Sequence, residues 1–225
     1  MIKVLGLNKI VWTFIALAIQ VLNFGFLVGA MNFDLWFHQN WTAAGVATIQ
    51  FKGQLLNPST DLGTLCDNDD TYNECYNNCQ INCDKYKSWY SGGAAYVCFD
   101  TIGSIFSVVI SVILILDALH FKYFRKLINF YTTAFIMIAI FALHFLSFII
   151  WAGTVKLRFD GCSHEANYDG TETVCGEGGA AFALWNLFYL FFINFPYFYI
   201  SRLIVIEEQK SGENSEPILV QPQPN

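Results

Sequence analysis

Four long apolar segments constrain the fold of this 225-residue chain more than any other feature of its sequence. Each segment is long enough to cross about 30 Å of hydrocarbon as an α-helix, which rises about 1.5 Å per residue. A soluble core can bury one segment of this kind, whereas four of them require a bilayer. The sequence therefore predicts an all-α integral membrane protein with a bundle of four transmembrane helices, at residues 10–30, 101–119, 127–152 and 180–206.

Two loops and two short ends surround these predicted helices. We expect a short N-terminal segment over 1–9, a tetraspan domain over 10–206, and a disordered tail over 207–225, which is acidic and then proline-bearing. The loops cover 31–100 and 153–179. The first apolar segment is longer than the apolar core of a signal peptide, so we expect it to remain as a helix.

The basic residues predict the orientation of the chain. Seven of the twelve lysines and arginines lie towards the two ends and in the short connection at 120–126, and the other five lie in the longer loops. The positive-inside rule then places both termini in the cytosol and both loops outside, in a multi-pass protein of the plasma membrane or of secretory or endosomal vesicles. The net charge of −6 offers no basic face to nucleic acid, so the predicted partners are the bilayer and other membrane proteins.

All seven cysteines lie in the two predicted loops. This distribution is typical of disulfides formed in an oxidising compartment, and it predicts that the loops are stapled. An odd number leaves one thiol free, lipid-modified or joined to another chain. The candidates are Cys66, Cys75, Cys79, Cys83 and Cys98 in the first loop and Cys162 and Cys175 in the second.

The cysteine spacing favours some pairings over others. A helix over residues 69–90 would place Cys75, Cys79 and Cys83 on one face, where they cannot easily bond one another. Cys66 and Cys98 would then be the natural partners for two of them. In the second loop, Cys162 and Cys175 would bond each other.

Other chemistry in the loops is limited. No histidine stands at zinc spacing among the cysteines, so we expect no metal site. The chain has no C-x-x-C pair, which leaves a quinone-linked thiol oxidoreductase as a remote alternative. No cofactor is expected. Asn40 is the candidate glycosylation site, because Asn40-Trp41-Thr42 is a sequon in an outer loop.

The segment after the first helix has two possible structures. Phe33, Trp36, Phe37 and Trp41 recur at helical spacing. This pattern is typical of an amphipathic helix that lies against the outer leaflet. Simple packing of the loop onto the bundle would explain the same pattern.

Polar residues inside the predicted helices indicate how the bundle is held together. We expect interhelical hydrogen bonds, with the central histidine bonded to Asn, Gln or Ser across the bundle. The candidates are Gln20, Asn23, His144, Asn186 and Asn194.

Two further features of the helices leave alternatives open. Asp117 precedes a basic cluster and is expected to be an interfacial acid, although a channel or transporter would use it together with His144. Gly25 and Gly29 form a small-xxx-small pair that predicts close helix packing, either within the bundle or in a homo-oligomer.

Several short motifs resemble MARVEL-domain tetraspans of the synaptophysin and synaptogyrin type. The resemblance covers about residues 100–205 and implies a protein of vesicle trafficking and membrane apposition. The motifs are Leu116-Asp117 at the end of the second helix, Asn129-Phe-Tyr-Thr-Thr-Ala134 at the start of the third, Trp151-Ala152 at its end, and Asn186 and Asn194 in the aromatic-rich fourth.

A second resemblance is to claudin and peripheral-myelin-type tetraspans. It is carried by a first loop larger than the second and by Leu62-Gly63 before the Cys66-x8-Cys75 spacing, with Gly63 where that family has tryptophan. It implies roles in cell contacts or in chaperoning a channel. Both resemblances lead to one expectation: a non-enzymatic membrane scaffold or accessory subunit. The alternative is a small channel or transporter.

Overall fold

A computed structural model describes residues 3–43, 47–59, 70–78, 83–119, 130–159 and 174–213. The chain is mostly helical, with short strands at both sides of the first helix and in the two loops. In chain order the elements are β1 (Lys3–Val4), β2 (Leu7–Asn8), α1 (Lys9–Met31), β3 (Phe37–Ala43), β4 (Ala47–Gly53), α2 (Tyr72–Asn78), α3 (Cys83–Ala118), α4 (Phe130–Val155), β5 (Leu157–Arg158), β6 (Val174–Gly176) and α5 (Gly178–Glu213).

Four helices, α1, α3, α4 and α5, are long and apolar enough to cross a membrane. They coincide with the four predicted segments, so this part of the prediction is confirmed. The helices form a ring in which α1 packs on α3, α3 on α4, α4 on α5 and α5 on α1. Residues 127–129 of the third predicted segment lie outside the described residues. α5 continues to Glu213, which corrects the expectation of a disordered tail from residue 207.

α3 departs most from its predicted bounds, because it begins at Cys83 rather than at residue 101. The first half of α3 contains too many polar residues to be recognised in the sequence as a membrane-spanning segment. It nevertheless buries Trp89 on one face. Gly93 lies so close to the Leu55 carbonyl oxygen that a Cβ at this position would overlap with it. Packing of this kind, and not apolar length, stabilises the extension.

Strands from both loops form one four-stranded sheet in the order β4-β3-β6-β5. β3 and β4 make an antiparallel hairpin in which Phe37 pairs with Gly53. β6 pairs antiparallel with β3, and β5 pairs parallel with β6. The expectation of an all-α chain is therefore corrected. We call the end of the bundle that carries this sheet the sheet end.

The segment after α1 forms a strand and not the amphipathic helix that could have lain against the outer leaflet of the membrane. Phe37 and Trp41 both belong to β3. Trp36, just before the strand, is fully buried and contacts Tyr96 and Trp151 with ring centroids 4.8 Å apart in each case. The helical spacing of these aromatic residues thus reflects packing of the loop onto the bundle.

Aromatic side chains fill the space between the sheet and the helix ends. Phe51 of β4 stacks on Trp89 of α3 at 5.0 Å, and Phe37 of β3 contacts the same indole at 5.1 Å. Such pairs stabilise by about 0.5–1.5 kcal/mol each beyond the area they bury. We call this cluster the aromatic cap; its members are Trp36, Phe37, Phe51, Tyr72, Tyr86, Trp89, Tyr96 and Trp151.

α2 is attached to the aromatic cap by Tyr72. The Tyr72 hydroxyl donates to the Gln54 carbonyl at 3.2 Å. Burial, with a smaller effect of Tyr86, raises the pKa of Tyr72 well above its usual value. Thr71 and Glu74 form a capping box, because the Thr71 N–H donates to Glu74 Oε2 at 2.6 Å and the Glu74 N–H donates to Thr71 Oγ1 at 3.3 Å.

Candidate functional site

A carboxylate–imidazole pair lies between α3 and α4, inside the bundle. His144 Nδ1 is 2.9 Å from Asp100 Oδ2 and 3.0 Å from Oδ1, and both side chains are 0% exposed. His144 Nε2 is 3.1 Å from the carbonyl oxygen of Ala183 in α5. One imidazole therefore joins three of the four long helices.

Hydrogen-bonding capacity fixes how many protons this pair holds. The Ala183 carbonyl can only accept, so His144 Nε2 must donate. Nδ1 then either donates to an ionised Asp100 or accepts from a protonated one. Both states place one proton between the two groups, and both leave the pair with no net charge. Neutrality matters here, because an unpaired buried ion costs several kcal/mol.

Ser147 completes the surroundings of Asp100. Its Oγ is 2.8 Å from Asp100 Oδ1 and 2.7 Å from the His144 carbonyl oxygen, so the single hydroxyl proton donates to one of them at a time. The Tyr96 ring packs edge-on against the imidazole, with centroids 5.8 Å apart. We call Asp100, His144, Ser147 and the Ala183 carbonyl the acid–histidine layer. It lies directly beneath the aromatic cap, because Tyr96 of the cap packs against His144.

The sequence revealed His144 but not its partner. The second helix was expected to begin at residue 101, one position after Asp100, and His144 was expected to bond an amide or hydroxyl. The signal that could have found Asp100 is its spacing from Ser104 and Ser107. All three are buried at helical spacing on one face of α3.

A second polar layer lies towards the other end of the bundle. Asn194 of α5 donates through Nδ2 to the Met137 carbonyl of α4 at 3.0 Å. Asn23 of α1 approaches Asn194 Oδ1 with its Nδ2 at 3.5 Å, the limit of a hydrogen bond. These contacts join α1, α4 and α5, as the sequence predicts for both asparagines.

Gln20 and Asn186 are fully buried as predicted. Their side-chain nitrogen and oxygen atoms have no hydrogen-bond partner among the described residues. The interhelical bonds expected of them are therefore not made within the described part of the chain. We call Gln20, Asn23, Asn186 and Asn194 the amide layer.

Other predicted residues of the helices fall in different surroundings. Asp117 lies in the last turn of α3, and its side chain is outside the described part of the structure. Gly29 packs within the monomer, since a Cβ on it would lie 3.6 Å from the Phe182 ring of α5. Gly25 faces open space, with nothing within 4 Å of an added Cβ.

The free cysteine among the described residues is Cys98, which is exposed on α3. The expectation that Cys98 bonds a cysteine of the first loop is thereby corrected, because residue 98 lies on the long helix and not in a loop. Cys66, Cys79 and Cys162 lie outside the described residues.

The remaining loop predictions are only partly described. Asn40 lies in β3 opposite Gln50, and its side chain is outside the described part of the structure. Within the described ranges, no group of three or more His, Cys, Asp or Glu side chains is arranged to hold a metal ion.

A second histidine–carboxylate contact lies at the sheet. His38 of β3 contacts Glu177, just before α5, with Nδ1 and Oε1 2.5 Å apart. Both side chains are partly accessible, unlike the acid–histidine layer. The contact ties the hairpin to the start of α5, next to the pairing of His38 with Cys175 in the sheet.

No protein-family model, curated protein or solved structure matches this chain.

Proposed function

We propose that this chain is a non-enzymatic membrane scaffold or accessory subunit that acts through its sheet end. The observation that carries the proposal is the aromatic cap, which locks the hairpin of the first loop onto the ends of the helices, together with the sheet that joins the strands of the second loop to this hairpin. Trp36 is the clearest example, since this loop residue contacts both α3 and α4. A rigid folded surface on a membrane bundle is suited to contact with another protein.

The proposed orientation has the sheet end outside and both termini in the cytosol, in the plasma membrane or in secretory or endosomal vesicles. The distribution of lysine and arginine supports it, because residues 120–126, which connect α3 to α4 in the sequence, carry three of them. The sequon at Asn40 would then face the compartment in which glycosylation occurs.

Disulfide staples are part of this proposal. They would use loop cysteines such as Cys75, Cys83 and Cys175, while Cys98 on α3 stays a free thiol. We infer that Cys175 bonds Cys162 and that the bonds of the first loop hold α2 to the start of α3. Nonreducing peptide mapping tests this pairing directly.

A second candidate function is a small proton-coupled transporter, and the acid–histidine layer favours it. A buried pair that shares one proton has the chemistry of a proton relay. Against it, both side chains are fully buried between the helices. We therefore place the scaffold first. Both family resemblances remain compatible with a scaffold.

The scaffold proposal is tested by native co-purification in mild detergent with variants of the sheet end. Phe159 follows β5 and is 51% exposed, so Phe159→Ala removes a large apolar contact without opening the cap. We expect this change to release a stoichiometric partner from the purified chain. Asn73→Ala, at an exposed position on α2, is the matched control and should retain it. A chain that purifies without any partner from its native membrane would contradict the proposal.

A further inference from the structure

The hairpin before α1 carries a large apolar side chain at the tip of its turn. β1 and β2 pair antiparallel, with Val4 opposite Leu7, and Leu5 and Gly6 form the two-residue turn between them. Leu5 is 73% exposed, which makes it the most exposed large apolar side chain in the described part of the chain. A single exposed leucine is common on protein surfaces, so the backbone of the turn decides what this one means.

That backbone is unfavourable for leucine. Leu5 has φ 51° and Gly6 has φ 81°. Two positive φ values are typical of a type I′ turn, which strongly prefers Asn or Asp followed by Gly. Asn tolerates the left-handed conformation because its short polar side chain bonds locally, whereas a bulky apolar side chain adds steric strain. Leucine at this position therefore indicates surroundings that stabilise an apolar side chain.

The turn lies close to the start of a membrane-spanning helix. α1 is one of the four helices long and apolar enough to cross a membrane, and β2 runs into it without a connecting residue. The junction is fixed, because the Val11 N–H donates to the Asn8 side chain at 2.9 Å. Each strand of the hairpin is two residues long, about 7 Å, which is similar to the thickness of the interfacial region of a bilayer. The tip thus stays within reach of the lipid.

The exposed apolar surface of α1 also leads to the turn. Phe14, Val11, Ile10 and Leu7 are all exposed, and in the first turns of α1 they follow one another at helical spacing. β1 packs against α5, which holds the β1–β2 hairpin on the bundle. The surface that faces lipid along α1 is therefore continuous with the surface of this hairpin.

We propose that the β1–β2 turn is a membrane anchor, whose Leu5 side chain inserts into the leaflet at the end of the bundle opposite the sheet. The partner is the lipid surface itself. Acyl chains replace water around Leu5 and Leu7, and this transfer offsets the strain of the turn. Insertion also fixes the depth at which α1 enters the bilayer. The anchor goes beyond the proposed function, because the scaffold acts through the sheet end.

Spin-label accessibility in liposomes locates the turn. Full-length Cys98→Ser protein carries a nitroxide at Leu5→Cys, and its collisions with oxygen, which concentrates in lipid, are compared with its collisions with a water-soluble nickel chelate. We expect this label to favour oxygen, as should a label at the lipid-facing control Val109→Cys. A label at Lys210→Cys, an exposed position near the end of α5, should favour the nickel chelate. A label at Leu5→Cys that behaves like the one at Lys210→Cys would overturn the anchor.

The variant Leu5→Asn separates insertion from turn geometry. Asn suits a type I′ turn better than leucine, so amide exchange of a turn in water would become slower or stay the same. An inserted turn loses its apolar contact instead, so exchange of residues 4–8 in liposomes should become at least about tenfold faster. The matched control is Leu119→Asn, which replaces a 64% exposed leucine just after α3 and should not affect exchange of the β1–β2 hairpin. Slower or unchanged exchange in Leu5→Asn would refute the anchor and leave the scaffold proposal untouched.

Discussion

The two polar layers of the bundle differ in whether their side chains can ionise and in how completely those side chains are hydrogen-bonded. The acid–histidine layer contains a carboxylate and an imidazole, and the hydrogen bonds of its ring nitrogens are both made by protein groups. The amide layer is uncharged, and its one direct contact between side chains, Asn23 with Asn194, is 3.5 Å long. The ionisable side chains are therefore the fully bonded ones, and the amides are the loosely bonded ones.

The difference has a physical cause. An unpaired ion in a low-dielectric interior costs several kcal/mol, so a buried carboxylate persists only where its partners are fixed. A hydrogen bond between neutral side chains in a bilayer bundle contributes little to stability, about 0.6 kcal/mol on average. The acid–histidine layer is held in place by the aromatic cap, whose Tyr96 and Trp151 lie on the same helices, α3 and α4, as Asp100 and His144.

The largest expected effect comes from breaking the Asp100–His144 pair. His144→Leu leaves Asp100 buried without its partner and should lower the free energy of unfolding by about 3–5 kcal/mol. Reversible unfolding in mixed micelles, followed by helical circular dichroism, measures it. The double variant Asp100→Leu with His144→Leu should regain most of the loss. Equal destabilisation of the single and double variants would show that the two side chains stabilise the bundle only by their packing and not by their interaction with each other.

The next effect tests the cap above that layer. Gly93→Ala forces a methyl group against the Leu55 carbonyl, a backbone atom that cannot rotate away, and should cost about 1–3 kcal/mol or more. Gly25→Ala is the matched control on another helix, with open space around its added Cβ, and should be neutral or stabilising. The same unfolding assay compares the two. A neutral Gly93→Ala would contradict the close packing of α3 on the loop.

The amide layer should respond more weakly. Asn194→Leu removes the bond to the Met137 carbonyl and should cost about 0.6–1.7 kcal/mol. Asn186→Leu removes polar atoms that have no partner among the described residues, and should be neutral or stabilising. A loss at Asn186 as large as that at Asn194 would mean that both amides are bonded, and would remove the contrast between the layers.

The smallest effect is at the surface of α2 and depends on pH. Hydrogen bonds from the backbone N–H and then the hydroxyl of Thr71 lower the pKa of Glu74. A lowered folded-state pKa means that Glu74 stabilises α2 above its unfolded pKa, and that this contribution is lost as pH falls through the folded value. Amide exchange of α2 should therefore be slower in wild type than in Glu74→Gln near neutral pH, and equal in strong acid. A difference that persists in strong acid would contradict the capping box.

The sequence predicts the four long helices because the length of each apolar segment is enough to identify a membrane-spanning helix. It does not predict the sheet, because Phe33, Trp36 and Phe37 have a spacing that suits a helix and also suits a loop folded back onto a bundle. The predicted start of the second helix, residue 101, is too late for a related reason, since contact with the cap, and not membrane burial, stabilises the first half of α3.

Asp100 shows where sequence reasoning about the site fails. An acidic residue at the edge of an apolar segment is normally placed in water, and only the extended α3 puts Asp100 inside the bundle. His144 was identified because a histidine in the middle of an apolar segment must have a buried partner. Which partner it has depends on the register of two helices, and no pattern in a single sequence specifies that register.

Proton flux in liposomes tests the central claim most directly, because it asks whether the acid–histidine layer is a closed structural element or a relay. With a pH gradient and a potassium–valinomycin potential, purified wild-type protein should leak protons no faster than protein-free liposomes, and Ser147→Ala should behave the same way. A proton flux in wild type that His144→Leu abolishes in a folded variant would contradict the scaffold account and establish the transporter in its place.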